Sequence, residues 1–447
     1  MSGKNRKYLI YDGSFWAIFD GLTSPFIIPY ALLFGASNTI VGIIGALPYL
    51  GSVIGQIPGA EVVERYKDRI KIEVVLSIIG RSLWIPILLL PLLFGDKLVI
   101  PLIILLAIYW LIISIKSPAL QSAMSDIVPE RIRGRYFGKR NMFIGLFSML
   151  ATLGGGLLLD RFKGNEWYGF ASMFAIALVF VAIAIYFSNK IKVRKYQDHD
   201  HKLKDFFDVR GEFKKFIIFI SYFNFAYMLA SPLFTVYMLV NLKMDYTTFA
   251  LFNAVSVVTW IIFQGKWGKI SDKYGDKAVL LACTFGTALV PLAFLLATPS
   301  TLWVLIPAQI LSGMMWAGQE LSVFNFLLDV TSKKKKAVQL ADYNALASIP
   351  LIIAPILGGL ISDNITFVLS GIPLVFVMSA ILRLSAVPLI AKLKEPRASQ
   401  EYPAALVLRE ATNIHPARGL IHEVKVLNYC VSCAVKFKKP KLRLFSV

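Results

Sequence analysis

Gly268-Lys269-Ile270-Ser271-Asp272-Lys273-Tyr274-Gly275-Asp276-Lys277 is a polar stretch between two long apolar runs. A weaker copy, Ala60-Glu61-Val62-Val63-Glu64-Arg65-Tyr66-Lys67-Asp68-Arg69, lies 208 positions earlier. Superposed, Gly268 meets Ala60, Asp272 meets Glu64, Tyr274 meets Tyr66 and Asp276 meets Asp68. Such a stretch turns the chain tightly between two membrane helices. Glycine permits close backbone approach, and the charges stay at the water boundary.

Working outward, the chain has 447 residues, of which 57% are hydrophobic and 17% charged, and the apolar residues come in long runs. About 20 apolar residues in a helix cross the roughly 30 Å hydrocarbon core of a bilayer. Twelve runs qualify, near 12–34, 40–60, 72–94, 98–125, 137–160, 167–188, 216–241, 246–265, 278–297, 301–328, 338–362 and 367–391. Backbone groups in lipid must be satisfied within the segment, so these runs are helices and the fold is all-α. The first run is not a cleavable signal peptide, because it is too long and Asp20, Pro25 and Pro29 interrupt it.

Basic residues decide orientation. One side of the expected membrane carries 40 of the 47 Lys and Arg residues, the other only Lys97, Arg161, Lys163 and Lys243, and Arg81, Lys116 and Arg383 lie within runs. Both termini are therefore expected in the cytoplasm of a plasma-membrane protein. The net charge of +20 is dispersed over cytoplasmic loops facing anionic lipid and forms no basic nucleic-acid face.

The runs repeat. Ser24-Pro25 and Tyr30 answer Ser231-Pro232 and Tyr237 at an offset of 207. Asp126, Asn141, Ala151, Gly155-Gly156 and Asp160 answer Asp329, Asn344, Ala354, Gly358-Gly359 and Asp363 at 203. The chain divides into a cytoplasmic N-terminus (1–11), a six-helix bundle (12–188), a cytoplasmic linker (189–215) with a surface helix near 203–207, a second bundle (216–393) and a flexible basic tail (394–447). Parallel six-helix repeats hold a solute near the midplane between the halves.

On these residues the chain resembles the major facilitator superfamily. That family's loop signature, Gly-x-x-x-Asp-Arg/Lys-x-Gly-Arg-Lys/Arg, is matched by Gly268, Asp272, Lys273, Gly275 and Lys277, with Asp276 in place of a basic residue. The first copy departs at Ala60, Glu64 and Lys67. Arg133-Gly134-Arg135 after helix 4 is similar to the family's basic cytoplasmic turn. The resemblance implies gating by these loops, involving Glu64, Arg65, Asp68 and Arg69 in the first copy. Glu64 and Asp272 would lock the outward-facing state. Helices 1, 4, 7 and 10 would line a central cavity, and helices 3, 6, 9 and 12 would lie outside them. The glycine series of the family's exporters is incomplete, since helix 5 has Gly154-Gly155-Gly156 without proline and Pro355-x-x-Gly358-Gly359 falls in helix 11. Transport direction stays open.

Five ionisable residues sit deep in apolar runs: Asp20, Arg81, Lys116, Glu320 and Arg383. Lys116 lies ten residues from Asp126, about 15 Å at 1.5 Å per residue. Each such charge costs about 2.5–3.5 kcal/mol on insertion scales, so each needs a partner or a function. On the implied arrangement Asp20, Lys116 and Glu320 face the cavity, with Gln319 at the repeat position of Lys116, while Arg81 and Arg383 sit on peripheral helices. Purely structural pairing would join Asp20 to Arg81 or Lys116, and Glu320 to Arg383. Further cavity candidates are Tyr30, Asn224, Tyr227, Tyr237, Gln309, Trp316 and Asn325, for each of which helix packing competes with solute contact.

The expected activity is transport of a small solute by alternating access. Midplane acids point to proton coupling through Asp20 or Glu320, and Lys116 suits an organic anion or other polar metabolite or drug. No cofactor or metal is expected, and the working unit is a monomer. A receptor of the same architecture would bind ligand without flux. A membrane-embedded enzyme finds no support, because all four histidines lie outside the runs and no Gly-x-Ser-x-Gly occurs. Glu61-Val-Val-Glu64-Arg65 spells a peptide-transporter pattern in the wrong place, and Cys430-Val-Ser-Cys433 with His415 and His422 lacks the second pair of a zinc ribbon.

Overall fold

The computed structural model describes residues 2–129, 132–193, 209–332, 336–365, 371–395 and 402–412. Twelve long helices follow in order: α1 (Gly3–Leu33), α2 (Asn38–Tyr66), α3 (Arg69–Phe94), α4 (Val99–Ile127), α5 (Arg133–Asp160), α6 (Glu166–Asn189), α7 (Gly211–Asn241), α8 (Tyr246–Tyr274), α9 (Asp276–Leu295), α10 (Leu305–Val330), α11 (Lys336–Asn364) and α12 (Ile372–Ala391). A short α13 (Ala404–Thr412) follows. All but α10 among the twelve are long and apolar enough to cross a membrane, and α10 is the more polar one, carrying Gln309, Gln319, Glu320, Asn325 and Asp329. Large apolar side chains such as Ile57, Leu92, Ile100, Leu296 and Trp303 are about two-thirds exposed, as lipid contact requires.

Proline sets the breaks. Pro25 lies in a 3-10 turn (Ser24–Phe26) in α1, and its repeat partner Pro232 lies where α7 loosens before Leu233–Val236. Each proline removes a backbone donor and crowds the preceding turn. The halves are α1–α6 and α7–α12. Within the first, α1 packs on α5 and α6 and α2 on α4; in the second, α7 packs on α11 and α8 on α10. Between halves, α2 lies along α11 and α5 along α8.

Two segments outside the apolar runs also fold as helix. The expected N-terminal extension is helical from Ser2 and belongs to α1, with Leu9 fully buried beside Ile70 and Ile127. In the expected flexible tail, α13 folds because Val407 and Ala411 bury completely against the Tyr274 and Trp267 cluster. Lys266 Nζ also donates to the Ala411 carbonyl at 2.5 Å. The expected surface helix near 203–207 and the Cys430, Cys433, His415 and His422 set lie outside the described residues.

Candidate functional site

The face holding the start of α1 and the end of α12 is termed the terminal face, the other the opposite face. At the opposite face the halves are joined twice, by equivalent contacts. Asp160 ends α5, and its carboxylate accepts from the backbone amides of Tyr246 (3.0 Å) and Thr247 (2.8 Å) at the start of α8. Asp363 near the end of α11 accepts from the amides of Asn38 (3.2 Å) and Thr39 (2.8 Å) and the Thr39 hydroxyl (2.7 Å) at the start of α2. The first amides of a helix have no partner within it, and the helix dipole favours an anion there. Each helix also has its own N-cap: Ser37 accepts from Ile40 and Asp245 from Thr248. Burial by itself would raise the Asp245 carboxyl, but donation from Thr248 holds it below its ordinary value.

Glycine permits this closeness. A Cβ on Gly156 would stand 2.5 Å from the Tyr246 carbonyl oxygen, and one on Gly359 2.3 Å from that of Asn38. Gly42 faces the Pro355 carbonyl in the same way at 2.1 Å. Deeper, the Tyr49 hydroxyl of α2 meets that of Tyr227 on α7.

One group of buried charges surrounds a cavity inside the first half. A cavity of about 280 Å³ lies between α1, α3, α4 and α5, and Asp12, Glu73, Arg81, Lys116 and Arg140 contribute to its wall. Lys116 Nζ donates to Glu73 Oε1 (2.8 Å) and to the Ser77 hydroxyl (3.0 Å), and Ser77 in turn donates to Glu73 Oε1 (2.9 Å). This ion pair is almost completely buried. Arg140 lies along α1, its Nε donating to the Leu9 carbonyl at 3.4 Å and its guanidinium packed where a Cβ on Gly13 would be. Arg81 lies within electrostatic reach of both Asp12 and Asp20.

The expected pairings are therefore corrected. Lys116 turns to Glu73 and away from Asp20. Arg81, placed by its helix number on the periphery, lines the same cavity as Lys116. Asp20 accepts from the Ser24 hydroxyl at 2.7 Å. Glu320 does not meet Arg383: it accepts from Trp260 Nε1 at 3.1 Å, whereas Arg383 donates to the carbonyls of Thr287 (2.7 Å) and Tyr227 (3.4 Å). Lys116 and Arg383 are buried, and a buried ion takes the nearest partner that can replace its hydration, whereas Glu320 is exposed.

Asp12, Glu73 and Arg140 escaped the sequence reading because they stand at the starts of the apolar runs 12–34, 72–94 and 137–160, where a charge looks interfacial. One signal was available: Glu73, Ser77 and Arg81 recur at intervals of four, a single helix face. The second half does not repeat this set, and its own buried charges, Asp276, Lys277, Asp342 and Arg383, stand elsewhere. At the repeat positions of Asp12, Glu73, Arg81, Lys116 and Arg140 stand Phe219, Leu281, Leu289, Gln319 and Tyr343.

Most of the other singled-out residues bind helices together. Tyr30 donates to the Ile87 carbonyl (3.0 Å), and Asn224 to that of Ala347 (2.9 Å). Tyr237 packs on Phe376, and Gln319 accepts from the Thr284 hydroxyl at 3.3 Å. Asn325 donates to Asp276 at 3.3 Å. Gln309 is buried on α10. Trp316 stacks edge-on against Tyr227, with centroids 4.9 Å apart.

In the first loop copy, Asp68 caps α3 through the Lys71 amide (3.1 Å) and Arg69 pairs with Asp126 of α4 at 2.5 Å. Glu64 and Arg65 are exposed, and Asp272 likewise, on the α8 side of the second copy. Gly268 has room around it. Gly275 takes a φ of +85° where Glu395 crowds it, Glu395 accepting from the Lys277 amide at 2.7 Å. Lys273 lies 3.7 Å from Glu410 of α13. The side chains of Arg133, Gly134 and Arg135 lie outside the described set.

This architecture agrees with comparisons. The solved nucleoside transporter NupG superposes with a TM-score of 0.66 at 13% identity, over 88% of this chain and 99% of that one. A D-xylose–proton symporter does so at 0.65 and 14%, over 90% and 99%. In sequence, the class H tetracycline resistance protein of Pasteurella multocida is 33% identical over 117 residues, 26% of this chain and 28% of that protein. The vacuolar membrane amino acid uptake transporter fnx2 of Schizosaccharomyces pombe is 29% identical over 129 residues, 26% and 22% of the two chains. The chain thus matches about a quarter of the length of these curated relatives. The sequence model of the Major Facilitator Superfamily matches residues 13–263 and 215–435. Twin six-helix halves, a repeat legible at every boundary and that match together make this chain a membrane transporter of the Major Facilitator Superfamily.

Proposed function

We propose that the protein carries a small polar solute bearing a carboxylate or other anionic group by alternating access, and that proton movement is coupled to it within the first half. The observation that carries this reading is the charge set of Asp12, Glu73, Arg81 and Lys116, all buried, with the partly buried Asp20 and Arg140 beside them, which the repeat replaces with apolar or neutral residues. The second half packs with its buried charges at other places, Asp276, Lys277, Asp342 and Arg383, so the repeated fold does not require charge at these six positions. Charge buried at such cost belongs to function. Glu73 and Lys116, 2.8 Å apart and buried, are the acid and base through which this coupling would run. Lys116, Arg81 and Arg140 supply the attraction for an anionic group.

The capped opposite face supports an inward-facing arrangement, with the terminal face cytoplasmic as the basic residues argue. Rocking of the halves would uncap α2 and α8 and close the terminal face. A monomer in the plasma membrane suffices for this cycle.

The test uses proteoliposomes loaded with the pH dye pyranine and challenged with a panel of sugars, nucleosides, carboxylates and amino acids. A transported solute should change the internal pH, and Glu73→Gln should uncouple or abolish that change. Unaltered coupling in Glu73→Gln removes the role from this residue. Binding without flux in the unmodified protein identifies a receptor.

A further inference from the structure

Two side chains facing the charged cavity lack hydrogen-bond partners. Asp12 and Arg81 are 4% exposed each, and neither makes a hydrogen bond or a close ion pair with any described residue. They come from different helices, α1 and α3, and the satisfied Glu73–Lys116 pair shares the cavity wall with them. They attract each other and their charged neighbours across the cavity, but a buried guanidinium and a buried carboxylate without hydrogen bonds are costly. Polar groups left in this state call for a bound species that supplies what is missing.

What is missing has a definite chemistry. Arg81 offers a planar fork of donors, which matches a carboxylate with two parallel bonds. Asp12 offers acceptors only, which match an ammonium group. The cavity wall carries Asp12 and Glu73 against Arg81, Lys116 and Arg140, and Asp20, outside the wall but within electrostatic reach of Arg81, brings the set to formal balance, so a ligand of no net charge enters without disturbing it. Water shares of about 30 Å³ each make the 280 Å³ space equivalent to several waters, room for a compact organic molecule. On α4 the lining runs from Ile113 to Met124, about 16 Å of helix leading from mid-depth toward the terminal face.

We propose that this cavity within the first half is a binding site for a small zwitterion, its carboxylate held by Arg81 and its ammonium group by Asp12. The site deepens the transport reading and rests on it for its place in the cycle, but binding is measurable without flux. The second half, with Phe219 and Leu289 at the two equivalent positions, has no counterpart and binds no such ligand there.

Thermal shift and calorimetry on the purified full-length protein test this with three matched sets of probes. Each set has an amino acid (alanine, leucine or phenylalanine), its amide, which lacks the carboxylate, and its deamino acid, which lacks the ammonium group. At least one amino acid should bind, with its amide and deamino acid at least tenfold weaker, since a charged hydrogen bond contributes about 1.5–3 kcal/mol. Asp12→Asn should erase the preference over the deamino acid, and Arg81→Gln the preference over the amide. Should Arg81→Gln fail to fold, Arg81→Lys replaces it and should weaken the amino acid at least tenfold, because the fork geometry is lost. Absence of binding by all three amino acids overturns the site, as does binding indifferent to both substitutions. Zwitterion binding without any pyranine response leaves the site standing and removes the proton coupling. A proton-linked flux of another solute, with no zwitterion bound, does the reverse.

Discussion

Asp160 and Asp363 stand at equivalent positions of the two repeats, and each carboxylate caps the first turn of a helix in the opposite half. The contact is exchanged twice about the pseudo-twofold axis, so both seams between the halves close by the same chemistry. Neither aspartate is needed by its own helix, whose C-terminus disfavours negative charge. Their role is across the seam.

Asp160→Asn and Asp363→Asn should each weaken the closed opposite face by about 1–2 kcal/mol, a fivefold to thirtyfold shift in population. Spin labels at the exposed Lys163 and Asn364 would report it as a longer distance, larger in the double variant. An unchanged distance distribution in the double variant would show that the caps do not hold this face.

Gly156→Val and Gly359→Val should each force α5 from α8 or α11 from α2, because the new Cβ falls 2.5 Å or less from a carbonyl oxygen. Gly154→Val is the internal control, since nothing lies within 4 Å of its Cβ. The same label pair should move in the first two variants and stay still in the third. Equal behaviour of all three would count against backbone contact as the reason for these glycines.

Lys116→Met should lower stability by about 3–5 kcal/mol, because it strands the Glu73 carboxylate in an apolar interior. Adding Glu73→Leu should recover most of that loss while leaving proton-linked flux absent. Denaturant unfolding and pyranine flux measured together separate the two effects. A double variant as unstable as the single one would mean the pair is not the main partner of either residue.

Val407→Asp should release α13, since a charge cannot replace a fully buried valine whose burial contributes about 1.5–3 kcal/mol. Limited proteolysis should then remove the chain after Leu393 faster, with the twelve-helix body resisting as before. Equal cleavage rates would show that α13 is held by Lys266 and Lys273 rather than by its apolar face.

Much of this protein was open to reading from residue order alone. Apolar run length identifies the twelve long helices, and the offsets of 207, 208 and 203 give the twin halves. These are properties of single segments against a uniform solvent, so they need no partner to be known. Partnership is another matter. Lys116 belongs with Glu73, Arg81 faces the cavity shared with Asp12, and Arg383 is held by two carbonyls, because packing places them within hydrogen-bonding reach or around one cavity. Depth along a helix follows from counting, but azimuth and crossing geometry follow from side-chain packing between helices far apart in the chain.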